Sequence, residues 1–236
     1  IITPIEELLE TMKDKDAVNI LKLVHKNAKR LIYLVNQILD FRKLEDSDVK
    51  LNADYGDIVG FVGNCISSFE LYSSENNIIL TFHSDFNRLE MQFDRDKMSK
   101  VISNLLSNAF KFTPREGHID VLLSRQITEL RIEVADTGVG IPADKRMRVF
   151  EKFYQGDNLI MKTASSGLGL HIVKEYVELH KGHVEALANH PQGTIIRIDM
   201  PIMQPAVIPT TQVTEVDDEA ISADNLEDHH DVTILL

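Results

Sequence analysis

The sequence predicts an α+β protein, with an N-terminal helical hairpin followed by an α/β domain built on a mixed sheet. Three observations predict it. Leu21, Val24, Ala28, Leu31, Val35 and Ile38 recur in alternating steps of three and four, the spacing of a heptad seam. A polar stretch from Glu45 to Gly56 then interrupts the pattern with Asp46, Asp48, Asn52, Asp54 and Gly56. Beyond it, helix-like and strand-like segments alternate. The last strand-like runs follow one another closely, which favours a mixed over an all-parallel sheet.

A first helix is expected from "TPIEELLETM", with Thr3 at its N-cap, Pro4 at the first helical position and Glu6 three residues after the cap. "KDKD" at Lys13 to Asp16 breaks it, and the seam follows on a second helix. Ile20, Leu34 and Phe41 widen that apolar stripe beyond a two-stranded contact. The hairpin is therefore expected to pair with a second copy into a four-helix bundle. Packing of the stripe on the chain's own second domain is the alternative. The expected division is a hairpin over 1–46, a linker over 47–56 and an α/β domain over 57–203. An acidic linker over 204–231 and a short strand over 232–236 complete the chain. Within the α/β domain, 57–77 reads as a helix, and 78–83 and 91–94 as strands. A helix bearing Asn104 comes next, then strands over 118–124 and 130–136. A further helix opens near Gly167, and strands over 183–189 and 193–201 close the domain.

Composition narrows the function. The 236 residues are 43% hydrophobic and 26% charged, enough to build real cores. No apolar run reaches the length of about 18 residues that a membrane helix needs. No signal peptide is visible, because the first basic residue follows the apolar start. Cys65 is alone, which excludes an internal disulfide and points to a reducing compartment. The net charge of −12 argues against nucleic-acid binding, which needs a basic face. Gln204 to Leu236 holds eight acids and no Lys or Arg, leaving −4 of the −12 for everything before it. The acidity belongs to a linker-like tail.

Three segments carry chemistry. "NLLSNAFKFT", Asn104 to Thr113, has an apolar stripe of Leu105, Ala109 and Phe112 at helical spacing. Asn104 and Asn108 lie four apart and Lys111 three further on, so two carboxamides and an amine share a neighbouring face. For any one Asn alone, a solvated face explains this. "VADTGVGIP" places Asp136 at a strand's end, where a carboxylate can accept from an exocyclic amine such as adenine's. Gly138 and Gly140 there permit positive φ and close approach by a ligand; an Asp-Thr-Gly turn without a ligand accounts for the same residues. "SSGLGLHIVKEYVELHKG" sets Gly167 and Gly169 at a helix opening, whose unblocked N–H groups make an anion site. It is neither a phosphate loop ending in Lys-Ser nor a G-x-G-x-x-G fingerprint, and a plain helix start explains it too.

In this order and spacing the segments resemble the ATP-binding domain of sensor histidine kinases. That domain belongs to a fold family shared with gyrase, heat-shock chaperone and mismatch-repair ATPases. The resemblance covers Asp57 to Pro201 and implies an α/β sandwich. "NLLSNAFKFT" is similar to the family's N box and "DTGVGI" to its first glycine box. "VFEKFYQ" is similar to its F box and "SSGLGL" to its second glycine box. Ser165 departs from the pattern, since many relatives carry another glycine there. The resemblance implies Mg²⁺ held by Asn108 with Asn104 assisting, Lys111 offsetting phosphate charge and Phe112 lining the adenine side. It implies that Asp136 reads adenine beside Gly138, Gly140 and Ile141, and that Gly167, Leu168, Gly169 and Leu170 cradle the phosphates of ATP. Acids are scarce on the Asn face because a triphosphate brings about four negative charges that a metal and a lysine must offset. Phe150, Phe153 and Tyr154 would anchor an ATP lid over roughly Gln155 to Ser166; core packing explains these aromatics as well.

The hairpin, ending "NQILDFRKLE", favours the kinase over its cousins, since histidine kinases enter this domain through dimerisation and phosphotransfer helices. The implied partners are a second copy of the chain and a receiver domain, and "VTILL" at 232–236 looks like a receiver's first strand after an acidic linker. The parent would be a hybrid kinase, and the chain the cytoplasmic portion of a membrane-anchored sensor. Family members carry the acceptor in a His-Glu-x-x-Thr-Pro segment of the first bundle helix. "IITPIEELL" resembles the part of that helix just after the segment, so the acceptor is expected to be missing from this chain. A nucleotide-gated dimer or switch that binds ATP without phosphorylating anything is the other reading.

Overall fold

Alternation of apolar and polar residues fixes the sheet. In the computed structural model, which describes residues 2–11, 14–45, 49–155 and 166–204, strands β4 (His118–Gln126) and β5 (Glu129–Asp136) pair antiparallel. Ile119, Val121 and Leu123 face inward from β4, and Leu130, Ile132 and Val134 from β5, the period of two that a half-covered sheet requires. With β2 (Ile79–Ser84), β6 (His183–Ala188) and β7 (Thr194–Pro201) they form one sheet of order β2-β4-β5-β7-β6. Among the described residues only β2 and β4 run parallel, so the sheet is mixed, as the closely spaced terminal strands predict. Helices α3 (Ile58–Ser67), α5 (Arg95–Phe112) and α6 (Gly169–Leu179) supply the other half of the core. Val101, Ile102, Leu105 and Leu106 of α5 and Ile172, Val173 and Val177 of α6 are buried in it. The opposite sheet face is laced with ion pairs, Arg131 with Asp199 and Arg197 with Glu133, both at 2.7 Å.

Two expectations need correction. The polar stretch read as a linker ends in strand β1 (Asp54–Asp57), which pairs antiparallel with β3 (Glu90–Phe93). Asp and Gly are poor strand formers, and only pairing with a distant strand orders them so. The single helix expected over 57–77 is two helices, α3 and α4 (Glu70–Asn76). Ser68 sits at the break and donates its hydroxyl to the Cys65 carbonyl at 2.6 Å, a local bond that competes with helix continuation. Asp57 caps α3 by accepting from the Val59 and Gly60 amides.

Ahead of these elements lie α1 (Ile2–Thr11) and α2 (Lys15–Glu45), packed on one another. Thr3 lies inside α1, so it does not cap that helix from outside. Along α2 the heptad residues Val24, Leu31, Val35 and Ile38 are all exposed. Phe41 is not one of them. It is 9% exposed and packs edge-on to Phe153 at 5.5 Å, with His171 at 6.0 Å. The wide stripe thus divides, its seam left open and its last aromatic docked on the α/β core. The acidic stretch from residue 205, the short strand at 232–236 and most of the lid, 156–165, lie outside the described residues.

Candidate nucleotide-binding site

The start of α5 is held by Asp94, which caps it by accepting the Lys97 amide at 3.0 Å. Its carboxylate also takes the Lys97 ammonium at 2.5 Å and the Asn52 amide at 2.9 Å. Burial opposes ionisation of Asp94, but these donors outweigh it and its pKa lies below the usual carboxylate range. The helix so anchored runs four more turns along the sheet and delivers Asn108, Lys111 and Phe112 to a cleft of about 330 Å³.

Asp136 meets the cleft from the end of β5. Its Oδ1 accepts the Gly138 amide at 2.8 Å and the Thr194 amide at 3.3 Å. Burial raises its pKa, and these two amides only partly offset that. Gly138 does not take a positive φ, contrary to one use the sequence allows it. It is glycine because a Cβ there would stand 2.5 Å from the Phe112 carbonyl oxygen, where the turn crosses the end of α5. Gly140, with φ of 74°, and Ile141 continue the wall.

Another wall of the cleft forms where α6 begins. Gly167, Gly169 and Leu170 line the cleft, whereas Leu168 is 1% exposed and belongs to the core. Gly169 must lack a side chain, since a Cβ would fall 2.8 Å from the Asn104 oxygen. Lys111 is half-buried opposite, its ammonium 4.8 Å from the Phe112 ring centroid. Burial and the nearby Arg30 guanidinium both lower its pKa. Of the aromatics expected to anchor the lid, Tyr154 lines the cleft, with the Arg148 guanidinium 5.1 Å from its ring. Phe150 is core, and Phe153 is exposed beside Phe41.

Asn104 does not line the cleft with its partners. Its side chain is buried, and its oxygen accepts from the Tyr33 hydroxyl at 2.9 Å and the Gln37 amide at 3.0 Å. Tyr33 and Gln37 are cleft residues that the local sequence pattern does not reveal, as are Lys145 and Thr194. The one hint is that Tyr33 and Gln37 form a polar pair four apart beside an otherwise apolar seam. Among the described residues no cluster of His, Cys, Asp or Glu is placed to hold a metal ion by itself.

A buried carboxylate, a carboxamide, a lysine and a glycine-opened helix therefore surround one cleft, in the order that the resemblance implies. The histidine kinase-, DNA gyrase B- and HSP90-like ATPase family matches residues 93–204. The chain carries a histidine-kinase-type ATPase domain. It is 34% identical over 207 residues to histidine kinase P4 of Formosa agariphila, covering 86% of this chain and 15% of that protein. It is 33% identical over 193 residues to the sensor histidine kinase WalK of Bacillus subtilis, covering 80% of this chain and 31% of that one. Full-length ShkA, solved in complex with AMPPNP, shares the fold with a TM-score of 0.69 at 24% identity, covering 86% of this chain and 44% of that one. The chain spans less than a third of either curated relative. These residues are the ATP-binding part of a sensor-kinase-type protein, and the alternative of a nucleotide-gated dimer or switch is not favoured.

Proposed function

We propose that this histidine-kinase-type ATPase domain binds Mg²⁺–ATP and presents its γ-phosphoryl group for transfer to a histidine, from which it passes to a receiver aspartate. The observation that carries the reading is the convergence of Asn108, Lys111, Asp136 and the glycine-opened start of α6 on one cleft. Asp136 accepts the adenine amine at the inner end, with Phe112 and Ile141 walling the ring. Lys111 and the α6 amides face the triphosphate, whose charge suits a helix N-terminus. The donor set agrees with a magnesium ion that arrives on the phosphates: Asn108 offers one carboxamide oxygen and no carboxylate cluster competes among the described residues. When bound, Mg²⁺ neutralises developing phosphate charge. The chain's own part is positioning and electrostatic stabilisation, the main means of phosphoryl-transfer catalysis.

The exposed seam on α2 supports a homodimer through the N-terminal helices, because four large apolar residues in one line favour a partner over water. For the parent protein we read a membrane-anchored hybrid sensor, of which this is a cytoplasmic portion with a receiver beyond it. That reading rests on the family resemblance and on "VTILL". Among the described residues no helix is long and apolar enough to cross a membrane.

Calorimetric titration with Mg²⁺–ATP tests the site. Asn108→Ala and Asp136→Asn should each weaken binding by about 1.5–3 kcal/mol, the worth of a charge-assisted hydrogen bond, or tenfold and more in affinity. Unchanged affinity in both variants would remove the assignment.

A further inference from the structure

A chain of hydrogen bonds leaves α2 and ends on the backbone amide of Leu168, between the cleft-lining Gly167 and Gly169. Gln37 Nε2 donates to the Tyr33 hydroxyl oxygen at 2.7 Å and to the Asn104 oxygen at 3.0 Å, which uses both of its hydrogens. The Tyr33 hydroxyl donates to the same Asn104 oxygen at 2.9 Å. Both lone pairs of that oxygen are then taken, and the Asn104 amide nitrogen is committed to the Lys100 carbonyl at 2.8 Å. On its other side, Gln37 Oε1 accepts the Ser166 hydroxyl. Ser166 Oγ in turn accepts the Leu168 amide at 3.1 Å, just ahead of the first turn of α6. Gln37 is 5% exposed, so its bond to Asn104 is shielded from competing water, whereas Tyr33 is 42% exposed and its bonds are only partly covered.

We propose that Tyr33 and Gln37 form an autoinhibitory latch. With α2 docked, they occupy the Asn104 oxygen that a metal ion would use and, through Ser166, the Leu168 amide that a phosphate would use. The inference rests on the nucleotide reading of the cleft and adds its regulation to it. A ligand that needs those groups must displace α2 from them, and movement of α2 must change the site in return, since coupling between two sites is reciprocal. Three further contacts set how far α2 must move: Asp40 with Lys100 at 2.8 Å, Glu45 with Lys152 at 3.4 Å, and Phe41 against Phe153. Of these α2 residues, Tyr33 and Gln37 are the ones that touch the groups at the phosphate end. They are thus the residues whose removal should free the site without undocking the helix.

Adenosine engages the adenine end but carries no phosphate, so it should sense the latch less. Tyr33→Phe and Gln37→Leu, each in the 236-residue chain, are titrated calorimetrically with Mg²⁺–ATP and with adenosine. Both variants should bind Mg²⁺–ATP about two- to tenfold more tightly, the span of one net hydrogen bond, with a distinctly smaller change for adenosine. Amide hydrogen exchange adds a direct readout: the Leu168 N–H should lose protection in Gln37→Leu before any nucleotide is added. Tyr33→Phe keeps the ring and carries the test should Gln37→Leu fold poorly. Equal or weaker Mg²⁺–ATP binding by the variants, beside a wild type that binds, overturns the latch and leaves the nucleotide reading standing. A wild type and variants that bind neither probe overturn both.

Discussion

Asp94 donates its backbone amide to His180 Nε2 at 3.0 Å, joining the first turn of α5 to the end of α6. The other ring nitrogen, Nδ1, lies 2.7 Å from the Tyr176 carbonyl, which can only accept. The proton therefore sits on Nδ1 and Nε2 is bare, so the folded state requires a neutral imidazole.

Stability should accordingly fall in mild acid. Burial lowers the pKa of His180 and outweighs both the Tyr176 carbonyl and the Asp94 charge, which favour protonation. An unfolded chain takes up this proton below a pH of about 6.5, whereas the folded chain resists it. The contribution of His180 is thus complete above that pH and is lost as pH falls towards the lowered folded value, at up to about 1.4 kcal/mol per pH unit for one proton. Urea unfolding at pH 7.5 and 5.5 checks this. The loss should be smaller in His180→Gln, whose side chain keeps an acceptor but does not titrate in this range.

Adenosine affinity should also depend on pH, for a different reason. On the proposed reading Asp136 is ionised when it accepts from the adenine amine, and burial holds its pKa above the usual carboxylate range. Binding should be flat near neutrality and weaken as pH drops through that raised pKa. Asp136→Asn can still accept the Gly138 and Thr194 amides through its oxygen, so the fold should survive. Its amide would then meet the adenine amine donor to donor, and binding should be weak at every pH. Calorimetric titration with adenosine between pH 7.5 and 5 measures both. A pH-independent wild type would show that Asp136 is not the reader.

Two glycine substitutions should move stability in opposite directions. A Cβ on Gly138 would stand 2.5 Å from the Phe112 carbonyl oxygen and 2.8 Å from the Asp136 carboxylate. Gly138→Ala must push the turn away from α5, at a cost of about 1–3 kcal/mol. A Cβ on Gly63, within α3, would meet only the Phe82 ring at 3.5 Å, an ordinary contact. Gly63→Ala should therefore stabilise the chain by about 0.5–1 kcal/mol through reduced backbone entropy. Denaturant midpoints for the two variants decide it.

Much of this architecture is legible locally. The period of two in β4 and β5 and the apolar stripe of α5 are consequences of neighbouring residues, and the structure places them as the spacing suggests. What is not legible depends on distance along the chain. β1 is ordered by a strand 36 residues away, from Asp54 to Glu90. Tyr33 reaches Asn104 across 71 positions, and His180 reaches Asp94 across 86. No periodicity encodes such meetings. The role of Asn104 is the sharpest case: family resemblance makes it a metal assistant, whereas in this structure its oxygen is already saturated by α2.

Association through α2 is the next expectation. Leu31 is 63% exposed, and Val24, Val35 and Ile38 continue its line. Two copies can bury this seam against each other in the closed, two-fold manner of most homo-oligomers. Leu31→Glu places a charge within it and should shift the chain towards monomer. Sedimentation velocity over a range of micromolar concentrations distinguishes the two, and a wild type that stays monomeric at the highest concentration would sink the dimer.

The last prediction concerns the phosphoryl acceptor. Transfer needs a histidine in line with the γ-phosphate and a base within hydrogen-bond reach of it. None of the nine histidines stands in a His-Glu-x-x-Thr-Pro segment. His171 is buried in α6 with Nδ1 3.3 Å from the Phe150 carbonyl, and His180 has both ring nitrogens engaged. His25 lies on α2 outside any such segment. A chain that binds ATP in the manner proposed should therefore acquire no acid-labile, base-stable label when incubated with γ-labelled Mg²⁺–ATP. Adding a His-Glu-x-x-Thr-Pro helical segment ahead of Ile1 should restore labelling, and restore it more strongly in Gln37→Leu, where the phosphate end is free. Robust phospho-histidine on the unextended chain would locate the acceptor among residues that this structure gives no such role.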